Sequence, residues 1–392
     1  MALAVRSVKT LIPGSIFSGD CCHARLHSFS VPSPPYFRTR SKASATKMAS
    51  TIAQGRPKTI DSHLHVWASP QEAADKYPYF PGQEPTLPGH LDFLLQCMEE
   101  GSVDGALIVQ PINHKFDHSL VTSVLKKHPT KFVGCCLANP AEDGTGIKQL
   151  EDLILKDGYR AVRFNPYLWP FGQQMTNEVG KAMFSRAGEL GVPVGFMCMK
   201  GLNLHIPEIT ELCTEFPSTA VLLDHLAFCR PPTNDEEKLA FSDLLKLSRF
   251  PQVYVKFSAL FRVSRMSTPY EDLVPLLAEV VSNFGANRVM WGSDFPFVVP
   301  ESGYKGAKEA ACHISSQASL SSSDVEWIMG KTVMQLFQGP ETTEPCSKSL
   351  DSRGRTKHQE TKFVLEWQLA NPIATQSVTT SNRAYMAWVK RA

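Results

Sequence analysis

The 392-residue sequence predicts an α/β fold, a closed (β/α)8 TIM barrel with one segment before it and one after it. Eight short, β-rich apolar runs alternate with helical patterns between residues 58 and 338. Continuously apolar runs joined by helices indicate a parallel sheet that helices cover, and eight such units in about 280 residues have the size of a barrel. A doubly wound sheet, the alternative, needs a glycine-rich turn after its first strand. Here the first run continues as Asp-Ser-His-Leu-His.

The predicted elements follow one another as strand and helix along the chain. The strands are predicted at Lys58–Asp61, Gly105–Val109, Phe132–Leu137, Ala161–Phe164, Val192–Met197, Ala220–Leu223, Val253–Phe257 and Arg288–Trp291. The helices are predicted at Leu91–Glu100, Phe116–Lys127, Ile147–Leu155, Val179–Leu190, Ile206–Phe216, Lys238–Leu247, Tyr270–Phe284 and Val325–Phe337. Gly191 and Gly285 follow two of these helices, as glycines at helix ends commonly do. In this fold catalytic groups come from the carboxyl ends of the strands, so we expect the site there.

The segments outside the barrel differ from it in charge. Residues 1–48 hold eight serines and seven Lys or Arg against one acid, a net charge of +6. That composition is typical of an organelle transit peptide. We expect the chloroplast, with the mitochondrion as the alternative, or the cytosol if translation starts at Met48. Residues 49–339 are expected to form the barrel, and the polar residues 340–392, with a net charge of +3, to be a disordered tail.

The charge of the barrel segment limits its partners. The whole chain has a formal net charge of +2, but residues 49–339 carry 25 basic and 32 acidic residues, a net charge of −7. This acidic core argues against nucleic acid, which needs a clustered basic face. No run of 18 apolar residues predicts a membrane span. The ten cysteines include no CxxC pair and indicate buried thiols. We expect a small-molecule partner, and the sequence leaves a homo-oligomer open.

Polar side chains follow three of the predicted strands. His63 and His65 end the first strand, and because side chains alternate in an extended chain, both point to one side while Leu64 points to the other. Two such imidazoles form half of a metal site or a pair of proton donors. Asp294 follows the eighth strand within Trp-Gly-Ser-Asp-Phe-Pro, and His225 follows the sixth within Leu-Leu-Asp-His. The structural alternatives are buried core histidines and a helix-capping aspartate.

The set His63-x-His65, His225 and Trp-Gly-Ser-Asp294-Phe-Pro resembles the amidohydrolase superfamily. More narrowly, it resembles the amidohydrolase-related (type 2) branch of TIM-barrel hydrolases, over roughly residues 58–338. The resemblance implies hydrolysis assisted by a divalent metal. It assigns His63 and His65 as metal ligands, places His225 nearby, and makes Asp294 both a ligand and the base.

Two strands depart from the fuller pattern of that superfamily. The fourth, which ends at Arg163-Phe164, lacks the Lys or Glu that bridges two metals, and the fifth, which ends near Cys198, lacks the usual metal-binding His. We therefore expect no metal ion or a single divalent one, zinc or manganese. Its ligands would be His63, His65, His225 and Asp294. His205 is interpreted first as a helix N-terminal residue and only second as a displaced ligand.

The reduced ligand set is similar to the lactonase group within the branch, which includes 2-pyrone-4,6-dicarboxylate lactonase and sugar-acid lactonases. Arg163, at the end of the fourth strand, suits a substrate carboxylate, which a guanidinium grips through two parallel hydrogen bonds. The alternative for Arg163 is an ion pair with a barrel acid. Arg262 is a second candidate and Arg230 a weaker one, and Trp67 lies in a loop long enough to cover a substrate. Lys256 is expected either inside the barrel with a partner or at its floor.

We expect a hydrolase that opens a lactone or ester ring of a small carboxylated substrate by attack of water. Asp294 would be the base, worth roughly 10² to 10⁴ in rate. His63, His65 and His225 would hold a metal or polarise the carbonyl. A lactone is favoured over an amide because its carbonyl is more electrophilic. Two alternatives stay open, a metal-dependent non-oxidative decarboxylase and a catalytically inactive barrel that binds a metabolite.

Overall fold

The computed structural model describes residues 56–337 and confirms the (β/α)8 barrel there. Eight parallel strands form one sheet in which each strand pairs with the next along the chain. The predicted leader at residues 1–48 and the predicted tail at residues 340–392 lie outside the described residues. The strands are β1 Ile60–Leu64, β2 Gly105–Val109, β3 Phe132–Leu137, β4 Tyr159–Phe164, β5 Val194–Phe196, β6 Val221–Leu223, β7 Val253–Ser258 and β8 Val289–Gly292.

The barrel closes where its first and last strands meet. The Asp294 N–H donates to the His63 carbonyl at 2.8 Å, and the His65 N–H donates to the Phe295 carbonyl at 2.8 Å. A bridge between Leu64 and Phe295 joins the same two segments. These bonds extend β1 beyond its predicted end, because the strand has a neighbour on both sides. We refer to this junction of β1 with the residues following β8 as the seam.

Helices surround the sheet along the described part of the chain. They are α1 Pro70–Asp75, α2 Leu91–Gly101, α3 Ser119–Lys127, α4 Thr145–Lys156, α5 Glu178–Glu189, α6 Ile206–Glu215, α7 Asp235–Lys246, α8 Leu260–Val263, α9 Val274–Phe284, α10 Tyr304–Gln317, α11 Ser322–Glu326 and α12 Thr332–Phe337. None of these helices combines the length and the apolar character needed to cross a lipid bilayer.

The helices in the last third of the barrel differ most from the predicted ones. The prediction overlooked α10, whose buried face includes Ala307, Ala310 and Ala311, because alanines give only a weak apolar period. The single helix predicted at Val325–Phe337 is divided into α11, a π-helical turn and α12. Gly330 lies in that turn, where a Cβ atom would come within 2.3 Å of a backbone carbonyl oxygen beside β1. The chain therefore packs its backbone directly against the start of the barrel.

A left-handed turn follows β6. The φ angles of His225, Leu226, Ala227 and Phe228 are 55°, 53°, 51° and 60°, although none of the four is glycine. Each such residue costs about 1–2 kcal/mol relative to right-handed backbone, because Cβ crowds the following carbonyl. All of them except Phe228 are fully buried. Packing therefore holds the turn in place, and the turn carries a predicted site residue.

Candidate active site

Four predicted site residues meet at the carboxyl end of the barrel. His63 lies in β1, His65 follows it, His225 begins the left-handed turn after β6, and Asp294 follows β8. The side chains are almost completely buried. The ring centroids of His63 and His65 are 5.1 Å apart, and those of His63 and His225 are 4.4 Å apart. The sheet order brings them together because the seam joins β1 to Asp294, and β6 lies only two strands from β8.

One carboxylate oxygen lies among the imidazoles. Oδ1 of Asp294 is 3.4 Å from Nε2 of His65, 3.9 Å from Nε2 of His63 and 4.0 Å from Nε2 of His225. Oδ2 accepts a hydrogen bond from Nε of Arg262 at 2.7 Å. One oxygen of Asp294 is therefore held by a cation, and the other faces three histidines.

The second ring nitrogen of each histidine has a partner of its own. Nδ1 of His65 donates to a β2 carbonyl at 2.8 Å, and since a carbonyl can only accept, this nitrogen carries a proton. Nδ1 of His225 is 2.7 Å from Oγ of Ser258, and Nδ1 of His63 is 3.2 Å from Oδ1 of Asp224. Protonated at Nδ1, the three neutral rings present three Nε2 lone pairs to one anionic oxygen.

This arrangement fits a single divalent cation. Ligand atoms of His63, His225 and Asp294 lie within 4.8 Å of one another. Nε2 of His63 is buried and has no hydrogen-bond partner among the described residues. Lone pairs that face a carboxylate repel it, whereas a cation between them would satisfy every group. Tetrahedral zinc with bonds of about 2.0–2.1 Å places its ligand atoms about 3.4 Å apart, near the distances around Asp294. His65 lies outside the three-residue set but contacts the same oxygen.

A buried ion-pair network lies behind the histidines. Asp224 accepts a hydrogen bond from Nε of Arg163 at 2.9 Å and lies 3.1 Å from Nζ of Lys256. Burial by itself would raise the pKa of Asp224, but Lys256, His63 and Arg163 outweigh it and hold the pKa well below its ordinary value. The ionised Asp224 therefore orients His63 through Nδ1, as a carboxylate commonly does for a metal-binding histidine.

Lys256 competes with Asp224 for the same nitrogen of His63. Its Nζ is 3.2 Å from Nδ1 of His63. An ammonium group only donates and a carboxylate only accepts, so Nδ1 can bond to one of the two groups. Donation to Asp224 leaves the Nε2 lone pair available to a cation, whereas acceptance from Lys256 requires the proton to be on Nε2. The two contacts therefore decide which nitrogen of His63 can act as a ligand.

Burial keeps His63 and His225 neutral, and contacts keep the carboxylate of Asp294 ionised. Desolvation lowers the pKa of His225 to about 4, despite the nearby carboxylates. It also lowers the pKa of His63 well below its ordinary value, with Asp224 opposing it. At Asp294 burial acts to raise the pKa, but the contacts with His225, His65 and Arg262 prevail and hold it far below its ordinary value. Near neutral pH the site therefore combines the uncharged imidazoles of His63 and His225 with the anionic Asp294.

A cavity of about 600 Å³ opens above this cluster. Its wall includes the predicted Arg163, Arg262 and Trp67, and the apolar side chains around them predominate. The ion-pair alternative for Arg163 is confirmed, because Nε pairs with Asp224; its terminal nitrogens have no protein acceptor among the described residues. Four cationic side chains line the cavity, against the single carboxylate of Asp294. They are Lys115, Arg163, Lys200 and Arg262.

Two weaker candidates lie elsewhere. Arg230 donates to the carbonyl of Arg262 at 2.9 Å and does not line the cavity. His205 precedes the first residue of α6, as first interpreted, and its Nδ1 lies 3.5 Å from a carboxylate oxygen of Glu208. His205 is therefore not a member of the histidine cluster.

Sequence reasoning gave no role to several residues that the structure brings to the site. Asp224 follows β6 as Asp294 follows β8, so the strand-end rule that identified Asp294 also applies to it. Ser258 ends β7 and carries the same signal more weakly. Lys115 and Lys200 lie in loops, where no pattern in the sequence marks them.

Comparison with known proteins agrees with this geometry. The family described as Amidohydrolase matches residues 60–338. The chain belongs to this family. The match covers the whole barrel, from β1 to the end of α12, and confirms the resemblance stated from the histidine and Trp-Gly-Ser-Asp motifs.

Relatives of this amidohydrolase include named lactone hydrolases. Over 264 residues it is 28% identical to the 4-sulfomuconolactone hydrolase of Hydrogenophaga intermedia, which covers 64% of this chain and 78% of the relative. A shorter match of 96 residues is 30% identical to the L-fucono-1,5-lactonase of Burkholderia ambifaria and covers 24% of this chain and 31% of that protein.

Solved structures share the fold of this amidohydrolase. A probable 2-pyrone-4,6-dicarboxylic acid hydrolase from Acinetobacter baumannii with bound citric acid has a TM-score of 0.58 and 18% identity, covering 71% of this chain and 99% of that one. A zinc-bound amidohydrolase from Burkholderia multivorans has a TM-score of 0.55 and 18% identity, covering 71% and 99%. A manganese-bound dihydroxybenzoic acid decarboxylase from Polaromonas sp. JS666 has a TM-score of 0.52 and 14% identity, covering 71% and 96%.

Proposed function

We propose that this amidohydrolase opens the ring of a small lactone that carries a carboxylate. The observation that carries the proposal is the ionised Asp294, with three imidazoles around one oxygen, beside a cavity lined by cations. Relatives named 4-sulfomuconolactone hydrolase and L-fucono-1,5-lactonase support the same class of reaction. A lactone ester is also the easiest of the substrates considered for these groups to hydrolyse.

Asp294 would activate the attacking water. Arg262 holds Oδ2, so Oδ1 is the oxygen that would accept the proton. General base catalysis of this kind contributes roughly 10² to 10⁴ in rate. The water oxygen would bond to the lactone carbonyl carbon, the ring C–O bond would break, and the proton would pass from Asp294 to the departing alkoxide. The low basicity of Asp294 suits this last transfer, because the carboxylate gives the proton up readily.

The histidines would stabilise the charge that develops on the carbonyl oxygen. A divalent ion held by His63, His225 and Asp294 would act as a Lewis acid and make water more acidic. We propose zinc or manganese, because imidazole and carboxylate ligands suit these ions, and proteins of the same fold bind them. His65, held through Nδ1 by β2, would orient the water or the carbonyl from the side of the seam.

Arg163 would bind the substrate carboxylate. Asp224 holds Nε at 2.9 Å, which fixes the guanidinium plane and leaves the terminal nitrogens for the ligand. Two parallel, charge-assisted hydrogen bonds would then orient the lactone ring. Trp67 would cover that ring, since its indole lines the cavity and is held by a hydrogen bond from Nε1 to the Leu87 carbonyl at 3.0 Å.

Decarboxylation is the second candidate reaction, because dihydroxybenzoic acid decarboxylases share the fold. The decarboxylases of this branch resemble metal enzymes with a histidine on the fifth strand, and this chain has Met197 and Cys198 there. The decarboxylase is also only 14% identical, whereas the sulfomuconolactone hydrolase is 28% identical. Lactone hydrolysis is therefore the better-supported reaction.

Metal analysis combined with a substrate panel tests the proposal. The purified full-length chain would be assayed on sugar-acid lactones, aromatic lactones and aromatic carboxylic acids, with and without a chelator. We expect ring opening of acidic lactones. Loss of activity on chelation and recovery with zinc or manganese would assign the metal role, and unchanged activity would assign the metal-free route. Release of carbon dioxide without lactone opening would favour the decarboxylase, and no turnover at all would favour the inactive barrel.

A further inference from the structure

Two lysines at the mouth of the cavity have no carboxylate partner among the described residues. Lys115 follows β2 and Lys200 follows β5, and both line the same cavity as Asp294. Nζ of Lys115 lies 4.2 Å from the ring centroid of Phe80, and Nζ of Lys200 lies 4.8 Å from that of Tyr167. Each ammonium therefore rests on an aromatic face, which attracts a cation without neutralising it.

The backbone holds Lys115 in a conformation that glycine usually adopts. Its φ is 47° and its ψ is −119°, the angles of the first central residue of a type II′ turn. The buried amide of Gln110 donates from Nε2 to the Lys115 carbonyl at 3.1 Å and to the Asp117 carbonyl at 2.7 Å. A strained residue held by buried hydrogen bonds is typical of a binding site.

The Lys200 backbone is held by the cavity wall as well. Its N–H donates to the phenolic oxygen of Tyr167 at 2.8 Å, so one tyrosine positions the backbone and faces the ammonium of the same residue. Tyr167 itself follows β4 close to Arg163. The mouth is thereby linked to the strand that carries the proposed carboxylate-binding arginine.

The charges inside the cavity are nearly balanced without these lysines. Arg262 is paired with Asp294, and Arg163 shares Asp224 with Lys256, so the inner groups leave an excess of one positive charge. One substrate carboxylate would neutralise that excess. Lys115 and Lys200 then add two further charges at the mouth, in a chain segment whose overall charge of −7 would repel anions.

Apolar side chains line the same cavity as the four cations. Phe80, Ile112 and Met199 line the cavity and remain 44%, 39% and 52% exposed. Exposed apolar side chains grouped at a cavity mouth are typical of a ligand contact. A cavity of about 600 Å³ also has room for a ligand larger than one small ring.

We infer that Lys115 and Lys200 bind a second anionic group of the substrate. This inference rests on the proposed lactone hydrolysis and extends it to a substrate class. The ligand is a lactone with one carboxylate at Arg163, an apolar section beside Phe80 and Met199, and a carboxylate or sulfonate at the mouth. The mouth lysines then select for the second charge, whereas Asp294 and the histidines act on the ring.

Matched lactones and matched lysine variants test this inference. The pair of lactones would share one ring and one carboxylate, and only one member would carry the second anionic group. Kinetics would be measured for the full-length chain, for Lys115→Met, for Lys200→Met and for the double variant. Lys127→Met would be the control, because Lys127 is exposed at the end of α3 on the opposite side of the barrel.

We expect each single variant to raise KM for the doubly charged lactone by about 2- to 5-fold, a typical range for one partly exposed charged contact. The double variant should raise it further, and should raise the KM of the singly charged lactone much less. Equal effects on both lactones, or none on either, would overturn the inference. Lys127→Met should match the unmodified chain.

Lys115→Gly separates binding from structure. Glycine adopts the observed angles without strain, so this variant should raise the melting temperature while losing the same affinity as Lys115→Met. A fall in melting temperature would indicate that Lys115 serves the fold and would overturn its binding role. Direct binding of glutarate and butyrate, measured by calorimetry, keeps the test independent of turnover. If the unmodified chain binds glutarate more tightly than butyrate and the double variant does not, the result supports the second anion site even when no lactone is hydrolysed. If the unmodified chain shows no preference, the result contradicts the second anion site.

Discussion

Asp294 links the backbone of the barrel to its chemistry. Its N–H bonds to the His63 carbonyl at the seam, its Oδ2 holds Arg262, and its Oδ1 faces three imidazoles. Its φ of 64° is left-handed, a conformation that Asp and Asn tolerate better than most residues. A substitution that tests its role must therefore keep both the backbone preference and the contact with Arg262.

Asp294→Asn meets those requirements. The amide oxygen can still accept from Arg262, and asparagine tolerates the left-handed backbone, so we expect a nearly unchanged melting temperature. The variant cannot take a proton from water, and kcat should fall roughly 10² to 10⁴-fold. Steady-state kinetics on an acidic lactone and thermal unfolding check the two parts. Asp152→Asn, at a partly exposed position of α4 away from the site, is the control, and an active Asp294→Asn would remove Asp294 as the base.

Single site residues could be predicted from the sequence where they follow a strand, because catalytic groups of a barrel come from the carboxyl ends of its strands. His63, His65, His225 and Asp294 were found because catalytic groups of a barrel follow its strands. The contact of Arg163 with Asp224 was not assigned, because nothing local indicates which of the possible acids an arginine will reach. Buried pairing depends on the neighbours of a strand, which only the closed barrel fixes.

The left-handed turn after β6 is the element that places His225. Its four residues with positive φ carry strain that surrounding contacts must offset. Leu226 and Ala227 are fully buried, so packing supplies that compensation. The turn therefore lowers stability but fixes the position of one imidazole beside His63.

Ala227→Gly should relieve part of this strain. Its φ of 51° costs alanine about 1–2 kcal/mol that glycine avoids, offset in part by the greater flexibility of glycine in the unfolded chain. Glycine also loses the packing of the buried methyl group, about 0.8 kcal/mol, so we expect a gain of less than about 1 kcal/mol in the free energy of unfolding, measured with urea. Ala182→Gly, at an exposed position of the right-handed helix α5, should lose about 1 kcal/mol instead. A loss in both variants would contradict the account of strain.

Element prediction succeeded where strands were apolar and bounded by turns. β2 and β3 have their predicted bounds, because apolar β-rich residues fill them from end to end. The end of β1 was predicted too early, since the polar Ser62 and His63 interrupt its apolar pattern and the strand is completed by pairing with β2 and with the residues after β8. α10 was missed because its buried face is rich in alanine. Sequence pattern therefore identified elements with large buried side chains and missed those that depend on neighbours.

At the scale of the whole molecule, the charge pattern opposes the proposed ligand. Residues 49–339 have a net charge of −7, yet four cations line the cavity. An anionic substrate would be attracted only within about a Debye length of the mouth, roughly 8 Å at physiological salt. The sequence predicted the acidic core. It could not predict that four cationic side chains would line one cavity, because the fold brings them together.

The stability of the whole barrel should depend on a buried histidine away from the site. Nδ1 of His118 donates to the Phe116 carbonyl at 2.9 Å, and Nε2 accepts from the Leu137 N–H at 3.0 Å. Burial lowers the pKa of His118 to about 4 from 6.5. Between these values the unfolded chain binds a proton that the folded chain does not, so the free energy of unfolding falls as the pH falls. From pH 7 to pH 5 this group should remove about 2 kcal/mol.

Urea unfolding at pH 7 and pH 5 checks this expectation. His118→Gln offers a donor and an acceptor to the same neighbours but does not titrate in this range. The variant should therefore lose less stability on acidification than the unmodified chain, by about 2 kcal/mol. An equal loss in both proteins would show that His118 does not carry the effect.

The seam also affects when the site forms during folding. The Ser293 N–H donates to the carboxylate of Asp61 at 3.0 Å, across 232 positions of sequence. Contacts so distant form late in folding, because closing long loops costs entropy before the contacts repay it. A chain that has not yet docked β8 has an open edge at β1 and lacks Asp294 among the histidines. Recovery of activity during refolding would therefore follow closure of the barrel. A partly folded chain, in which β8 has not docked, could not act on its substrate.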